Sequence, residues 1–274
     1  MKINFVRHLA QQPVPVRLGC FVAALLTLWL PVAVPIYILV KDTNLASILT
    51  IVLLYVEFIF LLTLWAKYVY HQHKVLRYYG LETTRQNAVD LLWGLAIGTI
   101  SVTLLFGIEG VLGWLVWEQP QSYNLFRRII LEGLIVGLGF GFAEELLFRG
   151  WLLDELQRNY NAVTALWVDA VTFATLHFIK PLEAIIHTLP QFPALVLLGL
   201  TQVWGKRWRR GRLGLPIGLH GGLVWGYYII NVGGLVKYSG KVPDWVTGVN
   251  HNPLQGLIGL VFLSGLALWV RLRK

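Results

Sequence analysis

Apolar stretches long enough to cross a bilayer recur from residue 18 to residue 270 with only short polar breaks, and no other feature narrows the choice of fold as much. A helix needs ~20 mostly apolar residues to span the hydrocarbon core. Eight stretches meet that length, at about 18–40, 46–66, 88–108, 128–150, 161–179, 189–205, 213–235 and 253–270. The sixth is short, the third runs on towards Trp117, and Pro31 and Pro35 should bend the first. The expected fold is therefore all-α: a polytopic membrane helical bundle of about eight transmembrane helices. Charge supports this, because only 14 % of the 274 residues are charged, against ~25 % in a soluble domain. The first stretch is too long for the ~7–15 residue core of a signal peptide, so it is expected to stay in the membrane. The single cysteine, Cys20, excludes an internal disulfide and a cysteine-based metal site, and reads as a small apolar helix residue.

The distribution of the 23 Lys and Arg residues sets the expected topology. With eight spans both termini lie on one side, and 17 of these cations fall there, including the basic arm Met1–Arg17. The other six are Lys41, Arg127, Arg128, Lys180, Lys237 and Lys241. Cytoplasmic loops carry the excess of positive charge, so both termini are placed in the cytoplasm, in a bacterial plasma membrane. The run KRWRRGR at 206–212 then reads as a topology signal and a contact for lipid headgroups, and no nucleic-acid partner is expected.

One stretch breaks the apolar pattern from within. Gly133–Asp154 carries Glu144, Glu145 and Arg149 inside a glycine-punctuated apolar run. Each charge at a helix centre in lipid costs ~2.5–3.5 kcal/mol, so these side chains should face a protein interior or a wet cavity. Glu145 and Arg149 stand at i and i+4, where opposite charges meet, which leaves Glu144, ~100° round the helix, unpaired. If the fourth and fifth spans form a hairpin turning near Tyr160, Glu144 and His177 each lie ~24–26 Å from the turn and face one another. His220 follows Gly214, Pro216 and Gly218, where a loosened helix start would let it lean into the same cavity. A carboxylate that activates water, a histidine that shares the proton and a second histidine that donates to a developing oxyanion are the parts of an amide hydrolase.

Plainer roles stand beside these. Each polar residue can be a hydrogen-bond partner between helices, and Glu145 with Arg149 a structural ion pair. Gly133, Gly137 and Gly141 form a repeated small-xxx-small pattern suited to close helix packing. Phe173 should pack against His177 and fix its ring, Glu57 and Asp169 are candidate supporting partners, and Glu109 and Glu132 should sit near the outer interface. His71 and His73 lack further ligands nearby for a metal site. No cofactor is expected; the variant is a zinc hydrolase with Glu144, His177 and His220 as ligands, ranked lower because HExxH is lacking. A proton-coupled transporter is a further class, since intramembrane acids also relay protons.

These residues carry a resemblance. Glu144-Glu145-Leu-Leu-Phe-Arg149 matches EExxxR, Phe173-Ala-Thr-Leu-His177 matches FxxxH, and Gly218-Leu219-His220 resembles a third motif. Together they are similar to the CAAX protease and bacteriocin-processing family of intramembrane proteases, which includes type II CAAX prenyl endopeptidases and bacterial self-immunity proteins. The likeness covers roughly 128–235, so the organisation expected is 1–127 as membrane helices with a basic arm, 128–235 as the catalytic core and 236–274 as a last helix and basic tail, all one membrane unit. It implies that Glu144 activates water with His177, that His220 helps bind the tetrahedral intermediate, and that the substrate is a membrane-associated peptide or protein, prenylated or not. One position departs. The family usually has Asn or Asp four residues after its last histidine, and here that residue is Val224. Asn231 is ~16 Å further along the helix and too far to replace it directly. This departure motivates the rival reading, a non-catalytic membrane adaptor or self-immunity factor that keeps the fold.

Overall fold

The computed structural model describes residues 8–120 and 122–273, so residues 1–7 of the expected basic arm lie outside it. The chain forms two compact units, one of residues up to Tyr78 together with Asp154–Tyr160, the other of Tyr79–Leu153 and Asn161 onward.

In the first unit, α1 (Val14–Leu39) and α2 (Thr43–Val69) form a hairpin, followed by the short α3 (Val75–Tyr78). Asp42 caps α2 by accepting from the Asn44 and Leu45 N–H groups at 2.9 and 3.0 Å, which satisfies donors that a helix start leaves free. Pro31 and Pro35 both lie inside α1. Phe21 of α1 meets Phe58 and Trp65 of α2 edge-on. Arg17, the last residue of the expected basic arm, is buried, and its Nε donates to Glu155 at 2.8 Å. Glu155, on α6 (Leu153–Gln157), also accepts from Trp65 Nε1 at 3.2 Å and Tyr70 Oη at 2.7 Å. A buried carboxylate demands donors, and these three supply them.

The second unit is built around α10 (Gly214–Val232), which packs against α4 (Arg85–Val111) and α5 (Tyr123–Glu145). Glycines bring the backbones into contact. A Cβ on Gly218 would lie 2.0 Å from the Leu91 carbonyl oxygen, and one on Gly94 2.4 Å from that of Leu215. On the other flank a Cβ on Gly137 or Gly141 would lie 2.5 or 2.6 Å from the carbonyls of Gly221 and Ile217. The small-residue stripe of α5 is therefore a packing seam. Gly214, Pro216 and Gly218 do not loosen α10 as expected; they belong to the helix, and its glycines are what let it approach its neighbours.

After α5 the chain enters a π-helical turn, Leu146–Leu152, and after α6 it returns as α7 (Ala162–Leu176). The sixth apolar stretch is longer than expected, because α8 (Leu182–Thr188), a 3₁₀ turn and α9 (Phe192–Trp208) give a helical path of 27 residues. α4 ends at Val111 rather than running to Trp117. Gly113 turns the chain with φ +70°, and Leu115–Trp117 becomes a strand, β1, paired antiparallel with β2 (Val236–Tyr238). Glu109 lies buried at the end of α4 and accepts from Tyr238 Oη at 3.5 Å, while Glu132 pairs with Arg128 on an exposed face. A short helix, α11 (Asp244–Thr247), and two 3₁₀ turns lead to α12 (Leu257–Arg271).

The chain is thus a nearly all-α integral membrane protein. Among the described residues four helical stretches are long and apolar enough to cross a membrane, Val14–Leu39, Thr43–Val69, Arg85–Val111 and Leu182–Trp208, with Ala162–Leu176 and Leu257–Arg271 as shorter apolar helices. α5 and α10 fall outside that group: α5 carries five charged side chains and α10 five glycines.

The seam makes a direct prediction. Gly218→Ala forces a methyl into a backbone carbonyl and should lower stability by ~1–3 kcal/mol, whereas Gly139→Ala, with nothing within 4 Å, should not lower it. Thermal unfolding of both variants in detergent micelles tests this, and equal melting temperatures would contradict the backbone contact.

Candidate functional site

Three helices of the second unit converge on one carboxylate. Glu144 is the penultimate residue of α5, His177 caps the C-terminal end of α7, and His220 lies within α10. Glu144 Oε2 is 3.7 Å from His177 Nε2 and 3.8 Å from His220 Nε2. These separations are too long for direct hydrogen bonds. A separation of that size leaves room for a water to bridge Glu144 to either imidazole.

The far side of each imidazole is fixed. His177 Nδ1 lies 2.8 Å from the Phe173 carbonyl, and His220 Nδ1 lies 2.9 Å from Glu145 Oε1. Carbonyl and carboxylate oxygens only accept, so both Nδ1 atoms carry the proton and both Nε2 atoms point towards Glu144. Phe173 packs as expected, with ring centroids 4.6 Å from His177 and 6.2 Å from His220.

Behind the histidines lies a buried charge cluster. Arg149 Nη1 is 3.3 Å from Glu145 Oε1, and its Nε is 3.5 Å from Asp169 Oδ2; all three side chains are fully buried. The guanidinium lies over the Phe173 ring at 4.3 Å. Arg149 sits in the π turn, where the Leu153 N–H reaches back five residues to the Phe148 carbonyl. Such turns concentrate at functional sites. The Arg149 carbonyl accepts from Lys206 Nζ at 2.6 Å. Gly199 of α9 leaves room for the cluster, since a Cβ there would stand 2.8 Å from Ala170 Cα and 3.2 Å from Arg149 Nη2.

Glu144, His177 and His220 open onto a cavity of about 430 Å³. Its walls are mainly apolar, among them Val102, Leu105, Leu195, Leu198 and Leu263, with Ser101, Gln191 and Asn252 as polar exceptions. Val224 is also in the wall, and Asn231 is not. Of the supporting candidates, Asp169 reaches the cluster; Glu57, on α2 of the first unit, does not line the cavity.

The basic run 206–212 also has partners within the protein. Lys206 and Arg207 donate to the carbonyls of Arg149 and Ala162, and Arg209 and Arg212 lie 3.3 and 2.8 Å from Asp90. Four of its five cations are therefore held by protein acceptors. The Asp90 pairings span more than 100 residues and leave no spacing signal in the sequence, nor does the Glu145–His220 bond.

One carboxylate and two imidazoles are chemically zinc donors, and ligating histidines commonly have Nδ1 held as here. The spacing does not close, however: among the described residues no three His, Cys, Asp or Glu side chains are grouped to hold a metal ion.

Residues 126–226 match the family model of type II CAAX prenyl endopeptidases, Rce1-like. No curated protein and no solved structure matches the chain. The matched stretch contains Glu144, Glu145, Arg149, Phe173, His177 and His220, so the resemblance carried by the three motifs is shown for the helices that hold the site.

Arg149→Met would leave Glu145 and Asp169 buried without their cation. Removing one partner from such a cluster costs about 3–5 kcal/mol. A drop of that size in unfolding free energy is expected, and a variant as stable as the wild type would show that the guanidinium compensates neither acid.

Proposed function

We propose that the chain is an intramembrane endopeptidase that cleaves a membrane-associated peptide or protein with water activated by Glu144. The convergence of Glu144 Oε2, His177 Nε2 and His220 Nε2 at the wall of one apolar cavity carries this reading. The family match supports a membrane peptidase independently of that geometry. In the proposed reaction Glu144 accepts one proton from the water while His177 Nε2 accepts a hydrogen bond from its other proton. The hydroxide oxygen adds to the scissile carbonyl carbon. His220, when protonated on both nitrogens, donates from Nδ1 to Glu145 and from Nε2 to the resulting oxyanion. Glu144 then returns its proton to the departing nitrogen, the C–N bond breaks, and one water has been consumed for two peptide ends released.

The cavity gives the substrate its character. A mostly apolar wall favours an apolar peptide segment or a lipid-modified tail, entering from the bilayer. Val224 offers no hydrogen bond to the intermediate. Asn252 lines the same cavity, with Oδ1 occupied by the Leu254 N–H at 3.0 Å, and its amide N–H is the side-chain donor we assign in place of the family's usual Asn or Asp. The arrangement in the membrane has eight crossings and both termini in the cytoplasm, with lipid as partner and no nucleic acid. Zinc stays the lower-ranked variant because HExxH is lacking. The second reading, favoured by Val224, is an adaptor or self-immunity factor that holds a partner in the same cavity without cleaving it.

Glu144→Gln separates the two. It keeps the shape and removes the base, so cleavage of quenched-fluorescent apolar peptides in proteoliposomes should fall ~10²–10⁴-fold, with the unfolding temperature unchanged. Undiminished cleavage would remove Glu144 from the chemistry, and a cellular phenotype that survives Glu144→Gln would favour the adaptor.

A further inference from the structure

Asp169 is a buried carboxylate that the proposed reaction does not use. It touches neither the reacting atoms nor the cavity, and among the described residues its ion-pair partner is Arg149, at 3.5 Å. We propose that Asp169 is a positioning residue: by restricting Arg149 to a single long contact with Glu145 it keeps Oε1 placed for His220, and so fixes the direction in which His220 presents Nε2. This rests on the endopeptidase reading for its kinetic consequence, but not for its geometry.

Two donors share one acceptor atom. Glu145 Oε1 is shared by His220 Nδ1–H at 2.9 Å and Arg149 Nη1 at 3.3 Å. Arginine and carboxylate left to themselves close into a bidentate pair with bonds of ~2.7–2.9 Å. Here the contact is single and longer. Asp169 holds the Nε edge of the guanidinium while Glu145 meets Nη1 on a different edge, and the Phe173 ring covers one face at 4.3 Å. Lys206 fixes the backbone of the same residue from α9. Without the pull of Asp169 the guanidinium is free to close on both oxygens of Glu145, whose Oε2 has no hydrogen-bond partner among the described residues, and so to turn the carboxylate away from His220. A histidine released from that bond turns about its side-chain torsions, and a displacement of ~1 Å at a reacting group lowers a rate by ~10²-fold.

The test uses the full-length protein in liposomes and two readouts. The Nδ1–H resonance of His220, assigned in the ¹⁵N-histidine spectrum by its loss in His220→Gln, should move or vanish in Asp169→Asn. With a cleaved peptide in hand, kcat should fall ~10–100-fold, as for partners that orient metal-binding histidines, with KM little changed. A His220 resonance identical to that of the wild type overturns the proposal, whether or not the protein cleaves peptides; a shifted resonance with no cleavage by the wild type upholds it and counts against the peptidase reading alone. Should Asp169→Asn not fold, Asp169→Glu replaces it: a carboxylate displaced by one methylene must move the same resonance, and an unmoved one overturns the proposal equally.

Discussion

A guanidinium with no exposed surface, held between two carboxylates with none, is the constraint on which the second unit depends. Ionised groups leave water at a cost of several kcal/mol each, and attraction in a medium of low polarity returns that only where geometry and hydrogen bonds are good. The surroundings of Arg149 follow from this. The π turn places its backbone where Lys206 can cap the carbonyl, Gly199 vacates the volume its side chain fills, and the Phe173 ring offers a face to the cation. The same Phe173 gives its carbonyl to His177 and its ring edge to His220, so support for the charge cluster and for both histidines passes through one residue.

Two identical side chains thereby stand in different settings. His177 rests on a neutral carbonyl and His220 on a carboxylate, although both show Nε2 to Glu144. An acceptor that is already negative favours a histidine that donates, and a neutral one favours a histidine that accepts. The positions are held by backbone contact rather than by long side chains. α10 lies against the carbonyls of α4 and α5 through glycines, so His220 has little freedom to drift from Glu145.

Much of this was legible in the sequence, for identifiable reasons. The helices showed themselves because lipid-facing surfaces must be apolar over a fixed length, and Glu145 with Arg149 because a one-turn spacing is readable in one dimension. Glu144 and His177 do face one another, 3.7 Å apart at Oε2 and Nε2, although the π turn after Glu145 departs from the uniform helical rise on which that expectation was counted. What escaped was whatever depends on a partner far along the chain. Arg17 reads as part of a basic arm until Glu155 is seen beside it, and Arg209 and Arg212 read as headgroup contacts until Asp90 is. The strand at Leu115–Trp117 was hidden for the same reason, because its pairing residues begin at Val236. Gly214 and Gly218 misled in another way: glycine loosens an isolated helix, but against a neighbouring backbone it is the residue that permits contact.

The polarity of the cavity completes the picture. Few polar groups line it, and in such a setting each counts for more, because electrostatic attraction strengthens as the local dielectric falls. A peptide bond brought there loses its own hydration, so donors and acceptors already aimed at it act without first reorganising. For the proposed peptidase, three polar atoms on three helices would then suffice for hydrolysis, provided that they cannot turn away from one another. It explains why so much of the second unit, from the glycine seam to the buried carboxylates, is occupied with holding rather than with reacting.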